Sequence, residues 1–260
     1  SEMCIRDRFE IVTDPDYTYL SSKRVVESCL NCKSCRTVCP AGVDVSELIL
    51  QRREEHPNKL AGKIFGLHAK QELFGKLIKL AAKTQVFWDR YFVRKIFEVL
   101  AKPMLKQLSE HAQLPWNMKL PTLAKKLLRE RHQNLCKKQS KVAYFHGCAA
   151  NYFDDGVGDA VIQVLKRYGV TPDLPPQRCS GTPIETYGYR NLAKEGAREN
   201  LRNFNGYETV VTGCASCTLA LKDYPKWFKG EPEEKAAVAL ANSVKPVSYT
   251  HLTLPTILLV

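Results

Sequence analysis

Four cysteines and a proline stand close together near the start of the chain, at Cys29, Cys32, Cys35, Cys39 and Pro40. Two residues separate neighbours among the first three cysteines, so one tight loop can direct their thiolates at a single [4Fe–4S] cluster. Disulfides between cysteines so crowded would be strained, and structural zinc usually takes two pairs well separated along the chain. The spacing therefore favours Cys29, Cys32, Cys35 and Cys39 as ligands of an iron–sulfur cluster.

A second set of cysteines lies in the other half of the chain, where strand-like and helix-like stretches alternate. The predicted elements are a strand over 142–145, a helix over 157–168 closed by Gly169, a short strand-like piece around 170–174, a helix over 191–204 and a strand over 208–212. Strands that alternate with helices at this spacing predict a parallel sheet with right-handed crossovers.

This sheet would gather four of the thiols. Cys148 and Cys214 each follow the carboxyl end of a predicted strand, and in a parallel sheet those ends share one edge. Cys217 falls on the first turn of the next helix, and Cys179 lies in a loop that can reach the same edge. Nearby helix N-termini would favour the thiolate charge. We therefore predict a metal site on Cys148, Cys179, Cys214 and Cys217, with His146 as a hydrogen-bonding neighbour and Cys136 as a bystander.

The segment between the two cysteine sets reads as helical. Asp44 or Ser46 can cap a helix that runs to about Glu55, where His56-Pro57 ends it. Helices with short breaks should fill 59–135, including one with an apolar stripe from Trp88 to Leu100 and a basic one over 122–132.

Charge is concentrated in part of this segment. The chain has 260 residues, 44% of them hydrophobic, and a net charge of +12. Eleven Lys/Arg against three Asp/Glu lie between Lys59 and Lys106. A basic amphipathic helix suits an anionic membrane surface, although such a run is equally often a solvated face. No apolar stretch approaches the roughly 20 residues of a membrane span, and no nucleic-acid recognition motif is present.

The two ends look foreign to the rest. Residues 1–8 and the tail from Val247 to Val260 resemble translated sequencing-adaptor read-through, so we expect Cys4 to be no ligand and the tail to be no anchor. The alternative is a native strand-like tail, against which Pro255 argues. The expected domains are a non-native leader (1–8), a ferredoxin-type module (9–58), a basic helical linker (59–140), a cysteine-rich domain (141–245) and a non-native tail (246–260).

Together the motifs resemble a known family. The matching stretches are Cys29-Leu-Asn-Cys-Lys-Ser-Cys35, Cys39-Pro-Ala-Gly-Val43, Val142-Ala-Tyr-Phe-His-Gly-Cys148 and Cys214-Ala-Ser-Cys217, with Cys179-Ser-Gly181 between the last two. The later stretches resemble the cysteine-rich CCG domain of heterodisulfide reductase-related proteins. With the first motif added, the chain is similar to the iron–sulfur subunit of anaerobic glycerol-3-phosphate dehydrogenase, and to glycolate-oxidase and lactate-utilisation iron–sulfur subunits.

The resemblance implies a non-catalytic subunit that relays electrons from an FAD-dependent dehydrogenase towards membrane quinone, in the cytoplasm or on the inner face of the membrane. It implies an α+β fold, in which an α-helical ferredoxin-type module and a helical linker precede an α/β CCG domain with a small parallel sheet. The implied cofactors are a [4Fe–4S] cluster and, in the CCG domain, a second cluster or zinc.

The chain departs from this family at three points. It has one ferredoxin motif instead of two, one CCG domain instead of two, and Ser180 where the pattern has a second cysteine. In two-cluster ferredoxins the fourth cysteine serves the other cluster, so we expect a truncated fragment with substoichiometric iron. A disulfide-reducing enzyme and a zinc-stabilised interaction module remain as alternatives.

Overall fold

The computed structural model describes residues 44–88, 122–153 and 156–247, together with Val26, Cys29, Asn31, Lys33, Cys35 and Cys39. The described residues fall into two compact units. The first contains the residues up to 65 and 183–190, and the second contains 66–86, 122–182 and 191–247. The predicted helix beyond Trp88, Cys32, residues 1–8 and the tail beyond Val247 lie outside the described residues.

The first unit is built on helix α1 (Val45–Glu55). Asp44 caps it through its carboxylate, which accepts the Glu47 N–H at 3.3 Å, and the helix ends at His56 as predicted. Val45 and Ile49, one turn apart, are buried with Val26 and Cys29. The capped helix thus offers its apolar face to the chain around the first cysteine.

Helices α2 (Lys59–Ala69) and α3 (Gln71–Trp88) follow, in agreement with the predicted helical segment. The next predicted helix is wrong in extent, because only α4 (Leu128–Arg131) and a 3-10 turn (Gln133–Leu135) form there. Ala124 instead donates its N–H to the Tyr152 carbonyl at 2.9 Å, and the Glu130 carboxylate accepts the Leu127 N–H. Pairing of this stretch with a later segment therefore replaces the earlier helical turns.

The second unit contains a parallel sheet of three strands, as the sequence predicts in kind. Strands β1 (Val142–Phe145), β2 (Thr209–Thr212) and β3 (Val244–Pro246) are adjacent in that order, with Val142 opposite Thr209 and Val210 opposite Val244. The sequence predicts β1 and β2 but misses β3, which lies where we placed the end of the domain and the start of the tail.

Short and long helices lie between these strands along the chain, although residues 183–190 belong to the first unit. The helices are α5 (Ala149–Tyr152), α6 (Val157–Arg167), α7 (Thr182–Thr186), α8 (Arg190–Asn203), α9 (Ala215–Trp227) and α10 (Glu234–Ser243). The prediction is confirmed for α6, which closes on Gly169, and for α8. It is wrong for the strand around 170–174, where only Asp173 bridges to Ala143.

The core of this unit lies on both faces of β1. Neighbouring strand residues point to opposite faces, so Tyr144 packs with Ile162 and Leu165 of α6 while Phe145 meets Phe204 at a ring-centroid distance of 5.4 Å. Because Ala143, Tyr144 and Phe145 are buried, polar side chains of this region can reach solvent only beyond the carboxyl end of β1. Among the described helices, none is long and apolar enough to cross a membrane.

Candidate metal centre

The carboxyl edge of the sheet carries the predicted thiols. Cys148 is the N-cap of α5, three residues after the end of β1, and Cys214 is the N-cap of α9 just after β2. Cys217 lies in the first turn of α9, as the sequence predicts. The helix holds this turn firmly, since the Thr218 hydroxyl donates to the Cys214 carbonyl at 2.9 Å and the Cys214 N–H donates to the Thr212 hydroxyl at 3.2 Å.

Cys148 and Cys179 form one close pair, with 3.6 Å between their sulfur atoms. Buried polar side chains hold the loop that brings Cys179 there. The Asn200 amide, wholly buried, donates to the Cys179 carbonyl at 3.4 Å, and the Tyr224 hydroxyl donates to the Ser180 carbonyl at 3.1 Å. Sequence reasoning missed Asn200 and Tyr224, because local patterns carry no signal for long-range contacts of this kind.

Cys214 and Cys217 form the second pair, which lies against the turn after β1. Gly147 occupies the left-handed region, with φ +69°, and a Cβ there would lie 2.9 Å from the Cys217 sulfur. Only glycine both adopts this backbone without strain and leaves the thiol its space. The Gly147 N–H donates to the Gln177 side chain at 3.1 Å, which fixes the turn. A glycine between a strand end and a cysteine is a signal that sequence reasoning could have used.

Within each pair, the hydrogen bond between the two thiols raises the pKa of one and lowers the pKa of the other. A hydrogen bond from Cys217 lowers the pKa of Cys214 to about 5, and the same bond raises the pKa of Cys217. The bond between Cys148 and Cys179 raises the pKa of Cys148 and lowers that of Cys179. Hydrogen bonds from Ser180 favour the thiolate forms of Cys179 and Cys217. In each pair one sulfur is therefore the easier to deprotonate, Cys214 in one and Cys179 in the other.

His146 behaves as a buried neutral imidazole beside this site. Its Nδ1 lies 2.7 Å from the Gly147 carbonyl, its Nε2 has no hydrogen-bond partner among the described residues, and burial lowers its pKa to about 4. It lines a solvent-open cleft of about 190 Å³ together with His68, Cys148 and Cys179. A hydrogen bond from His68 lowers the pKa of Cys148, an interaction that the sequence did not suggest.

The donor chemistry fits a thiophilic metal. Two thiolates on one tetrahedral zinc or iron ion lie about 3.8 Å apart, given metal–sulfur bonds of about 2.3 Å, and the Cys148–Cys179 separation is 3.6 Å. Among the described residues, however, no group of three or more His, Cys, Asp or Glu side chains is arranged to hold a metal ion. The four thiols stand as two pairs, and all described cysteines are free thiols.

The earlier cysteine run is described in part, at Cys29, Cys35 and Cys39. Asn31 and Lys33 have φ of +51° and +61°, so the loop winds through the left-handed region twice within three residues. Asn31 donates its N–H to the Cys29 sulfur at 3.4 Å. Amide-to-sulfur bonds of this kind tune iron–sulfur potentials. The Cys136 sulfur lies 3.6 Å from the Arg129 and His132 carbonyls.

The thiols at the sheet edge lie inside a segment that matches a known protein family. A family model described as a cysteine-rich domain, CCG, matches residues 142–222. The match contains all four thiols, and it lies within the segment where the sequence predicted such a domain. No solved structure gives a significant match.

Several curated proteins are similar to parts of the chain. Lactate utilization protein A of Geobacillus thermodenitrificans is 40% identical over 103 residues, which cover 39% of this chain and 43% of that protein. The probable glycolate oxidase iron-sulfur subunit of Bacillus subtilis is 27% identical over 240 residues, 87% of this chain and 53% of that protein. A fumarate reductase (CoM/CoB) subunit of Methanothermobacter marburgensis is 36% identical over 90 residues, 34% and 18% of the two chains. This chain thus spans about half or less of these relatives.

Proposed function

We propose that this chain is part of an iron–sulfur electron-transfer subunit that serves the oxidation of a small 2-hydroxy acid of the lactate or glycolate type. The observation that carries the proposal is the meeting of Cys148 with Cys179, and of Cys214 with Cys217, at one sheet edge inside the CCG match. Names of similar proteins refer to lactate and glycolate, so they favour this type over the glycerol-3-phosphate type that the motifs alone favour.

In this proposal the cysteines are the metal ligands. Cys29, Cys32, Cys35 and Cys39 would hold iron–sulfur iron, of which a [4Fe–4S] cluster is the proposed form. Cys148, Cys179, Cys214 and Cys217 would hold a second cluster or zinc. A bound cluster supplies one-electron transfer. An FAD-dependent dehydrogenase is the proposed electron donor, and quinone is the proposed destination.

The chain's own groups have three tasks around such ligands. The Asn31 N–H directs a hydrogen bond at the Cys29 sulfur, which spreads negative charge and favours electron uptake. Burial of Cys29 and Cys179 keeps water from these sulfurs. Asn200 and Tyr224 hold the carbonyls of Cys179 and Ser180, so protein hydrogen bonds help to position this thiol.

Anaerobic reconstitution with iron and sulfide tests the proposal. We expect a broad absorbance at about 400 nm that dithionite bleaches, with a paramagnetic signal on reduction. Iron content is measured on the same sample, with Cys136→Ala as a control that keeps both ligand sets intact. A colourless protein that takes up zinc alone would refute the electron-transfer role.

We further propose that the exposed face of α3 rests on an anionic membrane. Leu73, Leu77 and Leu80 share this face and are 46%, 42% and 61% exposed, and exposed Lys76 and Lys83 flank them. Each lysine near an anionic surface contributes about 1 kcal/mol to binding. Sedimentation with phosphatidylserine vesicles should fall strongly for the Lys76→Glu/Lys83→Glu variant. Equal sedimentation of this variant and the wild type would contradict membrane docking.

A zinc-stabilised module is the second candidate, because the 3.6 Å sulfur separation matches two ligands of one tetrahedral ion. Metal analysis of protein purified without added iron separates the two candidates. One equivalent of zinc, retained on iron reconstitution, favours the module.

A further inference from the structure

Arg53 occupies an unusual position for an arginine. It lies on the inner face of α1, is only 8% exposed, and directs its guanidinium at backbone carbonyls of the cysteine loop. Nε donates to the Val26 carbonyl at 3.0 Å, and Nη2 donates to the same carbonyl at 2.5 Å and to the Cys29 carbonyl at 2.7 Å. One planar side chain thus holds the backbone of the first cysteine and of the residue three positions earlier.

Burial of a guanidinium is costly unless charge-assisted hydrogen bonds compensate it. The Val26 and Cys29 carbonyls cannot turn away without leaving several of these donors unsatisfied, so the contacts hold the backbone of both residues in place. Cys29 is itself buried with Val45 and Ile49 of the same helix. Arg53 and the apolar face of α1 therefore fix Cys29 from two sides.

A third carbonyl ties a distant segment of the same unit to Arg53. Nη1 donates to the Thr186 carbonyl, and Thr186 stands seven residues after Cys179 in the chain. Only a glycine lets this segment pass so close to α1, since Gly188 has φ +84° and a Cβ there would lie 2.4 Å from the Arg53 carbonyl oxygen. Arg190 then pairs with Glu47 at 2.7 Å and Glu54 at 3.1 Å on α1.

We propose that Arg53 is a positioning residue that holds Cys29 for cluster binding and raises the reduction potential of the cluster bound there. The second half of this proposal rests on the proposed function. A fixed positive charge beside the loop stabilises the reduced, more negative cluster, which makes electron uptake more favourable. Contacts from Thr186 and Arg190 stabilise the position of α1, the helix that carries the Arg53 guanidinium.

The test compares three variants of the full chain. Arg53→Met removes both the charge and the donors at similar length, and Arg53→Lys keeps the charge but loses the planar fork. Arg52→Met is the matched control, because Arg52 is the neighbouring arginine of α1 but is partly exposed and pairs with Glu55 of its own helix, at 3.1 Å.

The first measurement needs no cluster. In metal-free protein, the rate of Cys29 alkylation by iodoacetamide is followed by mass spectrometry of the Cys29 peptide. We expect at least a tenfold faster reaction in Arg53→Met, an intermediate rate in Arg53→Lys, and the wild-type rate in Arg52→Met. If Arg53→Met does not fold, the alkylation rate of Arg53→Lys tests the proposal instead. A wild-type rate in the folded Arg53 variant would overturn the positioning role.

The second measurement is a redox titration of the reconstituted protein, followed by its paramagnetic signal. Arg53→Met should lower the equilibrium constant for one-electron reduction at least tenfold, a shift of about 59 mV, whereas Arg53→Lys should stay within that factor. An unchanged potential in Arg53→Met would overturn the electrostatic part. Failure of the wild-type protein to bind a cluster would refute the proposed function. The alkylation result would still test whether Arg53 positions Cys29.

Discussion

Substitution of Gly147 by alanine should damage the thiol site more than the fold. Gly147 has φ +69°, and the added Cβ would lie 2.9 Å from the Cys217 sulfur, so the sulfur must move. Alanine in the left-handed region costs about 1–2 kcal/mol. The free energy of unfolding should therefore fall by about that amount in metal-free Gly147→Ala.

Gly169→Ala is the matched control for this prediction. Gly169 lies in the same unit, has φ +77°, and has no atom within 4 Å of an added Cβ. It should lose a similar free energy of unfolding, about 1–2 kcal/mol, without touching a thiol. Any difference in metal binding between the two variants then reports on Cys217 alone.

Two assays separate the effects. Urea denaturation of the metal-free proteins measures the free energy of unfolding, and competition titration with a chromophoric chelator measures cobalt affinity. Mutation of a group that surrounds a metal ligand typically lowers metal affinity by a factor of about 10–100. We therefore expect a loss of cobalt affinity of that order in Gly147→Ala and none in Gly169→Ala. Equal cobalt affinity in the two variants would refute the argument that Gly147 makes room for a ligand.

Three further predictions concern the site. Cys148→Ala should reduce cobalt or iron uptake while Cys136→Ala leaves it unchanged, as measured by metal content after desalting; equal uptake would show that the Cys148–Cys179 pair binds no metal. Burial lowers the pKa of His146 to about 4. Between about pH 6.5 and 4 the unfolded state therefore takes up a proton that the native state does not. The free energy of unfolding should fall as the pH falls through this window, by about 3 kcal/mol in total. His146→Asn should flatten that pH dependence in urea titrations, and an unaltered slope would contradict it. Ser180→Cys should increase retained iron, since Ser180 is buried and already hydrogen-bonds to Cys179 and Cys217; unchanged iron content would mean that this position cannot supply a ligand.

The sequence predicts best where local rules decide the structure. The Asp44 cap and the His56-Pro57 stop define α1 correctly, and the Gly169 end defines α6. In each case the deciding group lies within a few residues of the element it ends. The strand prediction for β1 and β2 succeeds similarly, because apolar runs that precede glycine carry their own signal.

The failures occur where a distant partner decides. Residues before Leu128 have a helical pattern, but Ala124 bonds to Tyr152 instead. Strand β3 has only three residues, which are too few to show a strand pattern in the sequence. They form a strand because they pair with β2. Sheet topology predicts that Cys148 and Cys214 lie at one edge, but it does not predict the Asn200 and Tyr224 contacts that hold the Cys179 loop there.

Protein hydrogen bonds position the backbone around both thiol pairs, and this bears on how the site responds to a change of ligand. The Asn200 and Tyr224 side chains fix the loop of Cys179, and the first turn of α9 fixes Cys214 and Cys217. Here a change of ligand, such as a serine at position 180 in place of a cysteine, alters the donors while the surrounding backbone contacts persist. The number of thiolates should therefore affect which metal binds more than it affects the stability of the fold.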